Sequence, residues 1–395
     1  MAQLPDGVPA PGDGSLPDPN VASGFAAYVH IPFCAVRCGY CDFNTYTNLD
    51  FGPGASASDY HDTLAREIEL SAGVLGNPGK VTSVFFGGGT PTLLPAKDLA
   101  ATLERLRATF GIEPGAEVTT EANPETLTFE RLRILHDAGF TRVSFGMQSA
   151  VSHVLQVLDR AHTPGQVDAA VGWARELGLE HSVDLIYGAP GESMDDWRAS
   201  LEAAIALDPP HISAYGLTIE PGTKMGGQVR RGEIPEPDPD VLADKYMLAE
   251  ELLSNAGYEW YEVSNWAKPG HHSRHNLAYW QDANWWGYGP GAHSHVNGTR
   301  WWNVKHPIQY AAALAQGKSP AAARELLTAD ERREEQIMLG IRLREGIATP
   351  QGAAPEVVAG FIADGLVEPV PAMHSRLILT VKGRLLADTV IRALW

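Results

Sequence analysis

The sequence predicts an α/β protein. A partly closed barrel of six βα units is expected first, then a C-terminal α+β domain ending in a winged-helix-like tail. Three observations carry this reading. Six short apolar runs, at 26–31, 81–87, 116–121, 141–146, 181–188 and 211–217, alternate with amphipathic stretches at 59–72, 96–109, 128–138, 151–158 with 166–177, and 194–207. The rhythm then breaks near Pro221, and the Pro-rich segment 232–240 follows. Finally, all the cysteines, Cys34, Cys38 and Cys41, lie just after the first apolar run. Near-continuous apolar strands separated by helices mean a parallel sheet covered on both faces. Ligands then belong at the C-terminal ends of the strands. A doubly wound open sheet is the competing architecture.

The elements follow in order. Residues 1–24 are rich in Pro, Gly, Asp and Ser and are expected to form a disordered leader. They have neither the basic start nor the apolar core of a secretory signal. The barrel is assigned to 25–230, with Gly139 and Gly178 placed where helices should stop. In the segment 231–325 a helix at 241–256 and a strand at 258–265 lead into an aromatic, Gly-rich stretch. Seven of the ten Trp and six of the fourteen His lie between Trp260 and His306. The tail, 326–395, reads as helices at 330–343 and 355–364, short strands around 366–370 and 377–380, and a last helix. Helix–helix–strand–strand resembles a winged helix. It lacks a basic recognition helix, so a structural or lid module is expected rather than a DNA reader.

Charge narrows the function. Lys and Arg number 30 against 48 Asp and Glu, a formal net charge of −18. Broad binding to nucleic acid or to an anionic membrane needs clustered cations, which the sequence lacks. No apolar stretch approaches the ~18–20 residues that span a bilayer. A cytoplasmic location is the expectation.

The cysteine spacing, Cys34-x3-Cys38-x2-Cys41, is not that of a disulfide framework. Three thiolates in a short loop can each ligate one iron of a cubane cluster and leave the fourth iron open. A closed zinc site competes, with His30 or Asp42 as the remaining ligand.

This spacing, with Tyr40 before the third cysteine, resembles the radical S-adenosylmethionine (SAM) superfamily. Further segments match in order: FFGGGTPTLL at 85–94, EANPE at 121–125, SFGMQS at 144–149, LDRAHT at 158–163 and VDLIYGAPGE at 183–192. The resemblance implies a [4Fe-4S] cluster on the three cysteines with SAM on its open iron. It implies SAM contacts from Tyr28, Tyr40, Gly88, Gly89, Thr90, Glu121, Gln148, Arg160 and Asp184. Read without it, a strand-end Glu or Gln is as often simply solvated, and Arg160 can serve a neighbouring carboxylate. Asp184 stands out because a charge within an apolar strand needs a partner.

YVHIPFC at 28–34, CDFN at 41–44 and GGGTPT at 87–92 narrow the resemblance to one branch of the superfamily. That branch holds the oxygen-independent coproporphyrinogen III oxidases and the HemW-type heme chaperones. The oxidases carry a fourth cysteine two places after the third; here that place is Phe43. They also have a longer segment ahead of the motif. RHNLAYWQ at 274–281 matches the H-N-x-x-Y-W pattern of the heme-binding members. The resemblance therefore implies a heme chaperone that passes heme to an acceptor protein, with His275 as iron ligand and Tyr279 and Trp280 against the porphyrin. His293 and His295 are weaker ligand candidates, and His271 with His272 reads as an exposed loop. The alternative is a coproporphyrinogen dehydrogenase acting by radical decarboxylation.

Overall fold

The structure, a computed structural model, describes residues 7–394. Six parallel strands form its wall: β2 (Phe25–Ile31), β3 (Val81–Gly88), β4 (Ile112–Ala122), β5 (Arg142–Gln148), β6 (Glu180–Tyr187) and β7 (His211–Gly216), adjacent in that order. This is the sequential βα topology the sequence rhythm calls for, not a doubly wound order. Helices α1 (Tyr60–Leu75), α2 (Ala96–Phe110), α3 (Phe129–Ala138), α4 (Ser152–Val157), α5 (Pro164–Glu176) and α6 (Met194–Ala206) are the crossovers. Strand residues Ala27, Val29, Val84 and Phe86 are fully buried, and they pack with Leu64 and Ile68 of α1 and Leu99 and Leu103 of α2. A second core joins Val183, Leu185 and Ile212 to Trp197 and Leu201 of α6.

After α7 (Lys224–Arg230), helix α8 (Pro239–Asn255) packs onto that second core through Ala249 and Leu253. The chain then extends both edges of the wall. β9 (Asn265–Ala267) adds antiparallel to β7, and β8 (Glu259–Glu262) pairs antiparallel with β9 at the outer edge. Helix α9 (Arg274–Trp280) passes beneath β3, and β10 (Trp285–Tyr288) joins β2 in parallel. Strands β11 (His293–Val296), β12 (Thr299–Asn303) and, after α10 (Pro307–Ala315), β13 (Ala321–Leu326) complete a sheet of 13 strands. Aromatic crowding in this region is mostly core: Trp260, Trp266, Trp286, Trp301 and Trp302 are buried, and only Trp280 and Trp285 are half-exposed.

Two expectations need correction. Residues 7–24 are not a loose leader. β1 (Val8–Pro9) pairs with β13, Asn297 Nδ2 donates to Asn20 O at 2.8 Å, and Val21 is buried in the first core. The outer edge of β13 offers unpaired backbone groups, which this segment covers without needing a core of its own. Residues 1–6 lie outside the described residues. In the tail, α11 (Ala329–Gly340) and α12 (Pro355–Ala363) appear as expected, but the strand sought at 366–370 reduces to a single Val367–Leu379 bridge. Pro369 and Pro371 supply no ladder N–H, so α13 (Pro369–Met373) forms instead. The two-stranded sheet is β14 (Ile347–Ala348) with β15 (Arg376–Leu377), and α14 (Val381–Leu385) and α15 (Ala387–Ala393) end the module. It has its own core around Phe361, Val367, Leu377 and Val390. Arg384 anchors it to the barrel, over the Trp260 ring at 3.7 Å and on Glu250 at 2.9 Å.

Glu67 of α1 ties the wall to its β10–β12 extension. Its buried carboxylate accepts from Gly289 N at 2.8 Å, Asn303 Nδ2 at 2.7 Å and the Tyr310 hydroxyl. Burial holds its carboxyl up at about 7. A raised carboxyl pKa contributes stability that is present below the unfolded value and lost as pH rises through the folded one. Glu67→Gln should remove that loss. Between about pH 5 and pH 8, wild type should lose on the order of 3 kcal/mol relative to the variant in urea unfolding. Parallel pH profiles would show that Glu67 does not titrate in this range.

Candidate functional site

A cavity of about 530 Å³ runs through the barrel from the C-terminal ends of the strands to a floor made by α9. All three cysteines line its mouth, and all nine side chains or glycines expected to contact SAM line its wall.

The cysteine loop leaves β2 and is pinned at its return. Cys34 N donates to Tyr46 O at 3.0 Å, and Asn44 Nδ2 donates to Pro290 O at 2.9 Å and Lys305 O at 2.8 Å. Within it, Cys41 N reaches Cys38 O at 3.1 Å, a turn that gathers the thiols. Thr90 Oγ1 donates to Cys34 Sγ and Arg160 Nη1 to Cys38 Sγ, each at 3.7 Å. Burial pushes the Cys34 thiol up to about 11 and also raises Cys41. These thiols ionise when bound metal supplies the counter-charge. Among the described residues no three His, Cys, Asp or Glu converge on a point that would hold a single ion. Three thiols gathered in one short loop at the cavity mouth match the donor set of a [4Fe-4S] cluster with one iron left open.

Next in the wall comes the glycine turn after β3. Gly89 N donates to Ile31 O at 2.7 Å and Thr90 N to Phe33 O at 2.8 Å, so the turn lies against the start of the cysteine loop. Gly88 has φ +105°, and a Cβ there would stand 2.4 Å from the His30 ring. Only glycine fits that approach. Tyr28 lies alongside, its hydroxyl 2.9 Å from His30 Nδ1 and its ring stacked on Phe85.

Deeper charges follow. Glu121 accepts from Gly88 N at 3.0 Å, and burial, reinforced by Asp184, lifts its carboxyl to about 7. Asp184 accepts from Ser144 Oγ at 2.6 Å and Ser213 Oγ at 2.8 Å, and burial raises it too. Arg160 Nη2 donates to Asn123 Oδ1 at 2.7 Å and Gly146 O at 3.1 Å, so it serves the rim and not a neighbouring carboxylate. Gln148 holds φ 62° at the end of β5, a backbone strain that concentrates at functional sites. Tyr40 is half-buried against Leu158 and Ile186. Arg160 Nε and Thr119 Oγ1 are buried without a protein partner in this cavity wall. Paired and unpaired polar groups of both signs, below three thiols, fit a zwitterionic cofactor such as SAM. When bound, SAM on a reduced cluster supplies radical chemistry.

The heme candidates are placed differently from the expectation. His275 is 1% exposed and closes the floor. Its Nδ1 lies 2.9 Å from Ser83 Oγ, its Nε2 lies 2.9 Å from the Tyr279 hydroxyl, and its ring stacks on Phe85. Burial pushes it down to about 3, so it is neutral, but neither nitrogen is free for iron. Tyr279 lines the cavity floor, whereas Trp280 lies outside it. His295 is also buried, with Nδ1 3.1 Å from Ala283 O and Nε2 accepting from Gly298 N at 3.0 Å. His293 is exposed and stacks on Trp302. His271 and His272 are each half-buried; His271 reaches Glu180 at 3.2 Å and His272 stacks on Tyr261.

Sequence reasoning missed Glu117, Asn123, Arg142 and His211. Glu117 of β4 accepts from Ser273 Oγ at 3.1 Å, Arg274 N at 3.0 Å and His275 N at 3.1 Å, with Arg142 at 3.9 Å. It fastens α9 to the wall. A charge in the middle of an apolar strand was the available signal, the same one that singled out Asp184.

Two outcomes follow from this geometry. Replacing any one of the three cysteines by Ser should lower iron after anaerobic reconstitution from about four per chain to under about one. Full iron in one such variant would remove that thiol from the ligand set. Glu117→Ala leaves the Ser273 hydroxyl and the Arg274 and His275 N–H groups without this acceptor and should cost about 2–4 kcal/mol in denaturant unfolding. A cost below about 0.5 kcal/mol, the range of ordinary surface changes, would deny it the clamp role.

Comparison with known proteins agrees with this geometry. The model of the Radical SAM superfamily matches residues 28–204. A heme chaperone HemW of Mycobacterium tuberculosis is 48% identical, over 99% of this chain and 97% of its own length. One from Bacillus subtilis is 33% identical, over 93% of this chain and 98% of its own. Among solved structures, coproporphyrinogen III oxidase (HemN) of Escherichia coli aligns with TM-score 0.80, covering 95% of this chain and 91% of its own at 23% identity. That last likeness speaks for the fold, and the relatives that cover nearly the whole chain place it in the HemW family of the radical SAM superfamily.

Proposed function

We propose that the protein is a heme chaperone, which binds heme and hands it to an acceptor protein while its barrel holds a [4Fe-4S] cluster and SAM. One observation carries the choice within the superfamily. Phe43 stands at the cavity mouth in the place where the decarboxylating oxidases have a fourth cysteine. The names of the near-full-length relatives support the same reading. Charge fits as well, since nothing in a chain of net charge −18 favours a nucleic-acid substrate.

His275 enters this reading on a condition. To ligate iron, its Nε2 must release the Tyr279 hydroxyl. The acceptor is a protein of unassigned identity.

The test uses the full, anaerobically reconstituted chain. Heme titration followed by Soret absorbance should saturate at about one heme per chain, and heme should then pass to an added apo-hemoprotein. Incubation with coproporphyrinogen III, SAM and a reductant should yield no protoporphyrinogen IX. Decarboxylated product without saturable heme binding would replace the chaperone reading with the dehydrogenase one.

A further inference from the structure

The cysteine loop carries a combination that cluster ligation does not require. Val36 and Phe43 are each 56% exposed, although each is large and apolar. Both line the cavity mouth, as does Tyr215, 44% exposed at the end of β7. Apolar groups left in water at the rim of a cofactor cavity mark a surface for a ligand. They come from opposite edges of the parallel wall, β2 and β7, so they flank the mouth instead of belonging to one hydrophobic turn.

Between Val36 and Phe43 in sequence stands Arg37, the sole cation of the segment 32–46. Its guanidinium makes only long contacts to backbone carbonyls, Cys41 O at 3.5 Å and Phe43 O at 3.4 Å. Among the described residues it forms no ion pair. Other cations around this cavity are already engaged. Lys224 pairs with Asp159 at 2.8 Å, Arg142 with Glu180 at 3.3 Å, and Arg160 is held at the rim by Asn123. Asp42 on the same loop opposes anions, which leaves Arg37 as the group that can accept one.

A wide apolar plane with carboxylates at one edge is the chemistry that matches this rim, and heme has it. We propose that heme docks across the mouth of the barrel, with its macrocycle against Val36 and Phe43 and a propionate on Arg37, and not at the floor beside His275. The inference rests on the heme-chaperone reading and deepens it by placing the ligand. The acidity of the chain adds selectivity: a dianionic ligand is repelled by most of the surface and received at the mouth by a guanidinium that forms no ion pair among the described residues. Docking at the mouth also needs no rearrangement of the floor, whereas iron ligation by His275 requires breaking its hydrogen bond to Tyr279.

The experiment is a heme titration of the full, cluster-reconstituted chain in four forms: wild type, Val36→Ser with Phe43→Ser, Arg37→Gln, and His275→Ala. Heme dimethyl ester, which lacks the propionate charges, is titrated in parallel. The double variant should bind heme about tenfold or more weaker. Arg37→Gln should weaken heme by about three- to tenfold and leave the dimethyl ester within about twofold of wild type. His275→Ala should bind within about twofold of wild type. Arg37→Gln keeps the test open if the double variant fails to take up its cluster. Loss of binding confined to His275→Ala would overturn the mouth site in favour of the floor. Normal heme binding by the mouth variants, with transfer to an apo-hemoprotein lost, would assign the rim to a protein partner instead. Absence of saturable heme binding by wild type would sink the chaperone reading itself, and the mouth site with it.

Discussion

Six parallel strands cannot close a barrel by themselves, and the rest of this structure answers that constraint. A wall from β2 to β7 leaves two unpaired edges and an interior too wide for its own side chains to fill. The segment 259–326 deals with both problems. It lays β8 and β9 on one edge and β10 to β13 on the other, and between them it sends α9 under the barrel as a floor. Because the wall is parallel, every βα loop gathers at the opposite end, and the cavity opens there beside the three cysteines. Site and scaffold therefore come from the same incomplete closure.

An unfilled interior must be polar to hold a polar cofactor, and the sequence builds it from charges that would be costly in a packed core. Asp184 tolerates its burial through the Ser144 and Ser213 hydroxyls. Burial, reinforced by Asp184, raises the Glu121 carboxyl to about 7, and burial raises Asp184 as well. Arg160 bridges the layers, touching Cys38 on the loop and Asn123 and Gly146 on the wall. That single guanidinium couples the metal end of the cavity to the strand ends. Lower down, Glu117 repeats the logic for structure: a buried carboxylate fastens a helix by accepting from its first backbone N–H groups.

Much of this was legible in the sequence because the signals were periodic or dense. Apolar runs alternating with amphipathic stretches gave the wall, and three cysteines in one loop gave the metal end. Gly88 and Gly89 were legible since a strand end rich in glycine invites close approach, here to His30 and Phe33. The misreadings share a cause. Residues 7–24 have no apolar period, and their order comes from an edge strand more than 300 residues later, Val8 opposite Arg324. The tryptophans between 260 and 302 look alike in sequence, yet most fill cores while Trp280 and Trp285 do not. His275, a ligand candidate by its motif, has one ring nitrogen at Ser83 of a distant strand and the other at Tyr279, four residues on in the same helix. Long-range pairing decides the leader, the tryptophans and the Ser83 contact, and a local pattern does not report it.

The central claim is that three thiols at the mouth and the polar wall beneath them form one site for a cluster and SAM. Mössbauer spectroscopy of the iron-enriched, reconstituted chain, with and without SAM, tests it most directly. The account predicts a [4Fe-4S] cluster in which one iron differs from the other three and changes its signal when SAM is added. Four irons that stay indistinguishable, with no response to SAM, would contradict it.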